Sequence, residues 1–259
     1  IVNLLQLAPD EKVMTILPVK EFVAGKFIIT ATRKGTVKKT DLMAYSNPRQ
    51  GGIIALTIDE GDSLIAARLT DGSMDILLAS RTGKSIRFPE ENARPMGRTA
   101  RGVRGIMLGK DDCLIGMEVV NDATSATLVT VTENGYGKRT DLTEYRVQSR
   151  GGKGIITIKT SDRNGQVVDV HLVDDETDLM FVTDQGKILR TKATNFRSIG
   201  RNTQGVRLMV LESEERIVSV AKLAEKDEAD ESGPTEEGTE EGDEEGDEEY
   251  KALVAKFEN

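Results

Sequence analysis

Thr32-Arg-Lys-Gly-Thr-Val-Lys-Lys-Thr40 has three counterparts further along the chain: Ser80-Arg-Thr-Gly-Lys-Ser-Ile-Arg-Phe88, Thr132-Glu-Asn-Gly-Tyr-Gly-Lys-Arg-Thr140 and Thr183-Asp-Gln-Gly-Lys-Ile-Leu-Arg-Thr191. Their shared glycines, Gly35, Gly83, Gly135 and Gly186, are 48, 52 and 51 residues apart. Each copy follows an apolar, β-prone run: Phe27-Ile-Ile-Thr, Ile76-Leu-Leu-Ala, Thr127-Leu-Val-Thr and Leu179-Met-Phe-Val. A strand, a glycine turn and a second strand make a hairpin, and the signal is strongest at Asn134-Gly135.

A second pair of β-type runs follows in each unit. Ile53-Ile-Ala-Leu, Ile106-Met-Leu, Ile155-Ile-Thr-Ile and Leu208-Met-Val-Leu precede Leu64-Ile-Ala-Ala, Leu114-Ile-Gly-Met, Val167-Val-Asp-Val and Ile217-Val-Ser-Val. With an acidic or glycine-bearing turn between them, these read as a second hairpin. Ile1-Val-Asn-Leu-Leu and Val13-Met-Thr-Ile-Leu supply only this second half, so the chain reads as four full units behind a half-unit. A four-stranded unit of about 50 residues predicts a propeller blade. The even period disfavours a sandwich or a row of unrelated hairpins, and the three-to-four-residue spacing of a helix is scarce.

Of the 44 acidic residues, 16 fall in 224–259 against three lysines, so that segment carries about −13 and residues 1–223 about +4. The expected organisation is a mildly basic β-domain over 1–223 and an acidic, mostly disordered tail over 224–259. Tyr250, Leu253, Val254 and Phe257 form an apolar stripe if the last residues are helical. No segment holds the roughly 20 apolar residues of a membrane span. Cys113 is the only cysteine, which fits a cytoplasmic location and no internal disulfide.

Catalysis finds little support. His171 is the only histidine, and its place in the run Val167–Val173 makes a packed or edge residue the default. No Cys–His cluster has metal-ligand spacing, and Gly151-Gly-Lys-Gly154 lacks the spacing and hydroxyl of a phosphate loop. We therefore expect no cofactor, no metal and no reaction from this chain alone.

The basic residues recur with the repeat. Four residues after the hairpin glycine stand Lys39, Arg87, Arg139 and Arg190, with Lys38 and Lys138 adjoining. The loops entering the second half hold Arg49, then Arg94, Arg98, Arg101 and Arg104, then Arg146, Arg150 and Lys153, then Arg197, Arg201 and Arg207. Such a set predicts a cationic belt around the rim, suited to the phosphates of a curved duplex without base reading. Glycines in these loops allow positive φ and close backbone approach. A protein-binding scaffold is the rival, and it would need exposed apolar anchors on one face.

Gln148-Ser149-Arg150-Gly151-Gly152-Lys153-Gly154 resembles the seven-residue box of gyrase A subunits, written Gln, basic, Arg, Gly, Gly, basic, Gly. Ile1-Val-Asn-Leu-Leu, Asn134-Gly-Tyr-Gly-Lys-Arg-Thr140, Met96-Gly-Arg98 with Gly102-Val-Arg-Gly105, and Ile199-Gly-Arg-Asn-Thr-Gln-Gly-Val206 are similar to the C-terminal domain of the same family. The likeness implies an all-β β-pinwheel, a propeller relative whose blades exchange strands. It also implies DNA wrapping at the rim, within an A2B2 holoenzyme whose B subunit hydrolyses ATP; ATP and magnesium act elsewhere, and no membrane is involved. Gln148, Arg150, Gly151, Gly152, Lys153 and Gly154 join the candidate DNA-binding set on this ground. The family's box lies in the first blade, whereas this copy is in the third full unit with Ser149 at a basic position. The resemblance thus implies a blade upstream of Ile1 and a later-blade relative of the principal box here. The corresponding domain in the A subunit of topoisomerase IV is the near alternative.

Overall fold

The computed structural model describes residues 11–49, 51–121 and 126–223. The expected acidic tail with its terminal stripe lies outside the described residues, as does Ile1-Val-Asn-Leu-Leu. Within them the chain is all-β apart from one-turn 3-10 helices.

The first repeat folds β1 (Phe27–Thr32) and β2 (Thr36–Asp41) into a hairpin and adds β3 (Leu64–Thr70) on the far side of β1. The second repeat contributes β4 (Asp75–Ser80), β5 (Lys84–Pro89), the two-residue β6 (Val103–Arg104) and β7 (Leu114–Val120). The third supplies β8 (Thr127–Thr132), β9 (Tyr136–Asp141), β10 (Ile155–Ile156) and β11 (Val167–Val173). The fourth supplies β12 (Asp178–Thr183), β13 (Ile188–Lys192), β14 (Val206–Arg207) and β15 (Ile217–Lys222). At each hairpin turn the glycine N–H returns to the carbonyl three residues back, as from Gly35 to Thr32 at 2.9 Å. These glycines have φ between +78° and +85°, a region that a side chain makes costly.

The second hairpins do not form. The sheets run β3-β1-β2-β6, β10-β5-β4-β7, β11-β8-β9-β14 and β13-β12-β15. In the first three sheets the outermost strand comes from the following repeat: β6 pairs with β2, β10 with β5, and β14 with β9. The second run of each expected hairpin joins its own sheet, as β3, β7, β11 or β15, without the first, and the residues that reach back to the preceding sheet are Val103–Arg104, Ile155–Ile156 and Val206–Arg207. Ile53–Leu56, Ile106–Leu108, Leu208–Leu211 and Val13–Leu17 carry no strand. The separation satisfies backbone groups on the outer edge of the first three hairpins that would otherwise stand unpaired.

The core lies between neighbouring sheets. Ile29 and Val37 meet Ile76, Leu78, Ile86 and Phe88 between the first and second. Leu77 and Ala79, on the opposite face of β4, join Leu128, Leu142, Tyr145 and Val170 between the second and third. Val129 and Val131 meet Leu179, Phe181 and Ile217 between the third and fourth. Period-two alternation thus gives β4 and β8 two apolar faces, as central strands of a stack of sheets require.

On the opposite, inner side, β7 lies against β3 and β11, and β11 against β15. His171, on β11, connects three sheets there. Its Nδ1 is 3.5 Å from Glu118 on β7, and its Nε2 is 2.9 Å from the carbonyl of Val220 on β15 and 3.3 Å from Asp169. Burial alone would lower the imidazole's pKa, but Asp169 and Glu118 together push it up to about 10. The lone histidine is a charged tie between sheets.

Candidate nucleic-acid interface

The charges that recur on the strands are largely neutralised at home. Lys39 meets Glu90 at 2.8 Å with both side chains buried, and Arg87 meets Asp75 at 2.8 Å. Arg139 pairs with Asp175 at 2.6 Å, and Arg190 with Asp178. Lys38 and Lys138 are buried altogether. The uniform exposed belt expected from these six positions is therefore corrected. The outer strand of each of the first three hairpins is covered by the next repeat's loop, so a cation there meets protein before solvent, whereas Arg190, on the uncovered β13, stays largely exposed beside Asp178.

The loops themselves run along that outer edge. Pro95, Val147 and Ser198 bridge in parallel to Lys39, Arg87 and Arg139, and each segment then turns into β6, β10 or β14. Glycine makes the return possible. Gly154 has φ +71°, and a Cβ there would stand 2.4 Å from the carbonyl oxygen of Ser85. Gly151 has φ +81° and donates to the carbonyl of Gly105 at 2.7 Å, while Gly152 lies over Ile86. The N–H of Gln148 donates to the carbonyl of Arg87 at 2.8 Å.

Equivalent arginines join one loop to the last. Arg98 Nη1 donates to the Ile54 carbonyl at 2.8 Å, Arg150 Nη1 to that of Arg104, and Arg201 Nη1 to that of Ile156 at 2.8 Å. The backbone repeats the link: Thr57 donates to Ala100, Met107 to Gly152 and Lys159 to Thr203. The outer edge is therefore a hydrogen-bonded row of loops. Arg101 is exposed beside Asp59 at 3.1 Å. Arg49, Arg94, Arg104, Arg146, Lys153, Arg197 and Arg207 are exposed with no carboxylate partner among the described residues. A polyanion meets unopposed charge here rather than on the strands.

One grouping escapes the repeat. Tyr136, first in β9, stands opposite Arg207 on β14, and Arg207 Nη2 donates to its hydroxyl at 3.0 Å. Arg163, from the loop before β11, brings a second guanidinium to 5.0 Å from the same ring. Arg163 has no periodic counterpart, so the spacing argument passes over it. Among the described residues no three of His, Cys, Asp and Glu group as a metal site, and no helix is long and apolar enough to cross a membrane.

Antiparallel sheets set side by side, the first three finished by their followers' strands and bearing cationic loops outside, define a propeller of the pinwheel kind. The chain belongs to the DNA gyrase C-terminal domain family, a β-propeller, whose model matches residues 26–71, 75–121, 126–174 and 177–224. It is 45% identical over 225 residues to the A subunit of DNA gyrase from Salmonella typhimurium, a match covering 87% of this chain and 25% of that protein. It is 42% identical over 234 residues to the A subunit of DNA gyrase from Mycolicibacterium smegmatis, covering 90% and 28%. The chain thus spans about a quarter of the length of these curated relatives. Among solved structures, the C-terminal domain of DNA topoisomerase IV has a TM-score of 0.80 at 24% identity, covering 86% of this chain and 69% of that one. The DNA gyrase A C-terminal domain has a TM-score of 0.77 at 24% identity, covering 86% and 74%. At that identity both are likenesses of fold, and the gyrase relatives in sequence disfavour the topoisomerase IV alternative.

Proposed function

We propose that this domain binds and wraps duplex DNA along its outer edge without reading sequence, and performs no reaction of its own. The observation that carries the reading is the row of hydrogen-bonded loops bearing unpaired arginines and Lys153. Phosphate contacts need positive charge at backbone spacing and little else. Bending even 20–30 base pairs costs roughly 1–6 kcal/mol, so many such contacts must offset it. A pre-bonded row lowers the entropy lost on binding.

In its full setting the domain acts with the rest of gyrase A and with gyrase B, where ATP and magnesium serve, in the bacterial cytoplasm. Wrapping presents a neighbouring DNA segment to that machinery for negative supercoiling. The acidic segment 224–259 competes for the cationic edge as a tethered polyanion, so its deletion tightens DNA binding.

Fluorescence anisotropy of the chain on a duplex of about 40 base pairs, over a salt series, tests the reading. With six to ten phosphate contacts, affinity falls roughly 10³–10⁵-fold between 50 and 200 mM salt. A salt-insensitive complex, or no binding by folded protein at low salt, would overturn it.

A further inference from the structure

We propose that Tyr136, Arg163 and Arg207 form a phosphate clamp on the outer edge of the third sheet, the seat of one backbone phosphate of a bound duplex. The clamp rests on the DNA-wrapping reading and names a fixed point within it.

Two like charges converge on one phenol. The guanidiniums of Arg163 and Arg207 stand 5.0 and 5.5 Å from the Tyr136 ring centre, both on exposed side chains around a ring that is buried. Neither meets a carboxylate among the described residues. Their hydrogen bonds hold the Tyr136 hydroxyl below its ordinary pKa, so the site already favours negative charge at that oxygen. An oxyanion seated between the two forks relieves their mutual repulsion and accepts in the geometry guanidinium prefers.

The surrounding cleft, of about 230 Å³, adds Arg216, Glu212 and Glu215. Its carboxylates are already engaged. Glu215 accepts from the Thr183 hydroxyl at 2.7 Å, from Lys187 at 3.2 Å and from the backbone N–H of Glu212 at 2.9 Å. Glu212 pairs with Lys187 at 2.7 Å. The cleft is left with a surplus of guanidinium charge.

The clamp belongs to one repeat. Thr36, Lys84 and Lys187 occupy the place of Tyr136 elsewhere, and Ile156 stands at one counterpart of Arg207. A single such seat on an otherwise repetitive edge sets where a wrapped backbone comes to register.

The test uses the full chain labelled with ¹³C at tyrosine Cζ, with Y136F assigning the Tyr136 signal. Adding the duplex is expected to shift that signal, and R163Q/R207Q to abolish the shift. The double variant should also lower the salt slope by about one, because both arginines serve a single phosphate. Inorganic phosphate at the same phosphate concentration should leave the signal in place; an equal shift would assign the clamp to a free oxyanion and overturn the duplex assignment. A duplex that binds by anisotropy yet leaves Tyr136 unmoved overturns the clamp alone. One that fails to bind at low salt overturns the wrapping reading, and the clamp with it.

Discussion

The ammonium of Lys138 donates to the carbonyl oxygen of Gly200 at 2.7 Å, from a side chain with no exposed surface. It also donates to the carbonyl of Arg201 and to the Thr203 hydroxyl. Lys38 does the same in the first sheet, for Ala55, Gly97 and Arg98. In the second sheet the corresponding residue is Ile86, beneath Gly152. Two of the outer loops are thus pinned from beneath by a buried cation, with their carbonyls drawn inward.

K138M leaves those oxygens without their donor and should destabilise the domain by about 1–3 kcal/mol, with faster amide exchange in 198–205. Burial holds the Lys138 pKa down to about 8, below the ordinary 10.5. The folded protein therefore binds fewer protons than the unfolded one between those values, and stability rises with pH across that window. Denaturation of both proteins should show the gap between wild type and K138M widening from pH 8 to 10.5. A constant gap would mean that the amine is not held in this way.

H171Q removes the cation between Glu118 and Asp169, and losing one member of such a buried group costs roughly 3–5 kcal/mol. Here the folded pKa, about 10, lies above the ordinary 6.5. The stabilisation is complete below pH 6.5 and disappears as pH climbs through 10. Thermal melts at pH 6 and pH 10 should show the difference between wild type and H171Q shrinking, the reverse of the lysine case.

Gly154→Ala and Gly186→Ala isolate strand exchange from turn geometry. Both sites have positive φ, which costs an alanine about 1–2 kcal/mol. At Gly186 nothing lies within 4 Å of the new Cβ, whereas at Gly154 it meets the Ser85 carbonyl oxygen at 2.4 Å. Urea denaturation should find G154A clearly the more damaging of the two.

Neutralising an unpaired loop cation should weaken DNA binding and reduce the salt slope by about one for each phosphate set free. R146Q, K153Q and R197Q are expected to do so. R87Q should leave the slope unchanged, because Arg87 serves Asp75. Anisotropy over a salt series separates the two groups.

The hairpins were legible because one glycine per repeat has to take positive φ between two apolar runs, and Gly35, Gly83, Gly135 and Gly186 all do. The destination of the short strands was not. A two-residue strand such as Val103–Arg104 has no alternation to reveal its partner, and its pairing with Thr36–Val37 is a tertiary choice. The strand charges misled for a related reason. Lys39, Arg87, Arg139 and Arg190 keep the period, and Arg87 and Arg190 find Asp75 and Asp178 at the same offset across the hairpin, but Lys39 and Arg139 pair with Glu90 and Asp175 at offsets shared with no other repeat. Lys39 and Arg139 therefore look free in a repeat alignment. Most of the loop charges had no such partners to hide, Arg101 beside Asp59 and Arg201 beside Glu144 being the exceptions.

Exchange of the outer strands also orders the molecule in time. During synthesis from the N-terminus, the sheet holding β1 and β2 waits for Val103 and Arg104 to leave the ribosome, and the next waits for Ile155 and Ile156. Each of the first three sheets is locked only when its successor is well under way. Assembly is therefore vectorial, and no cut between successive repeats yields two finished halves.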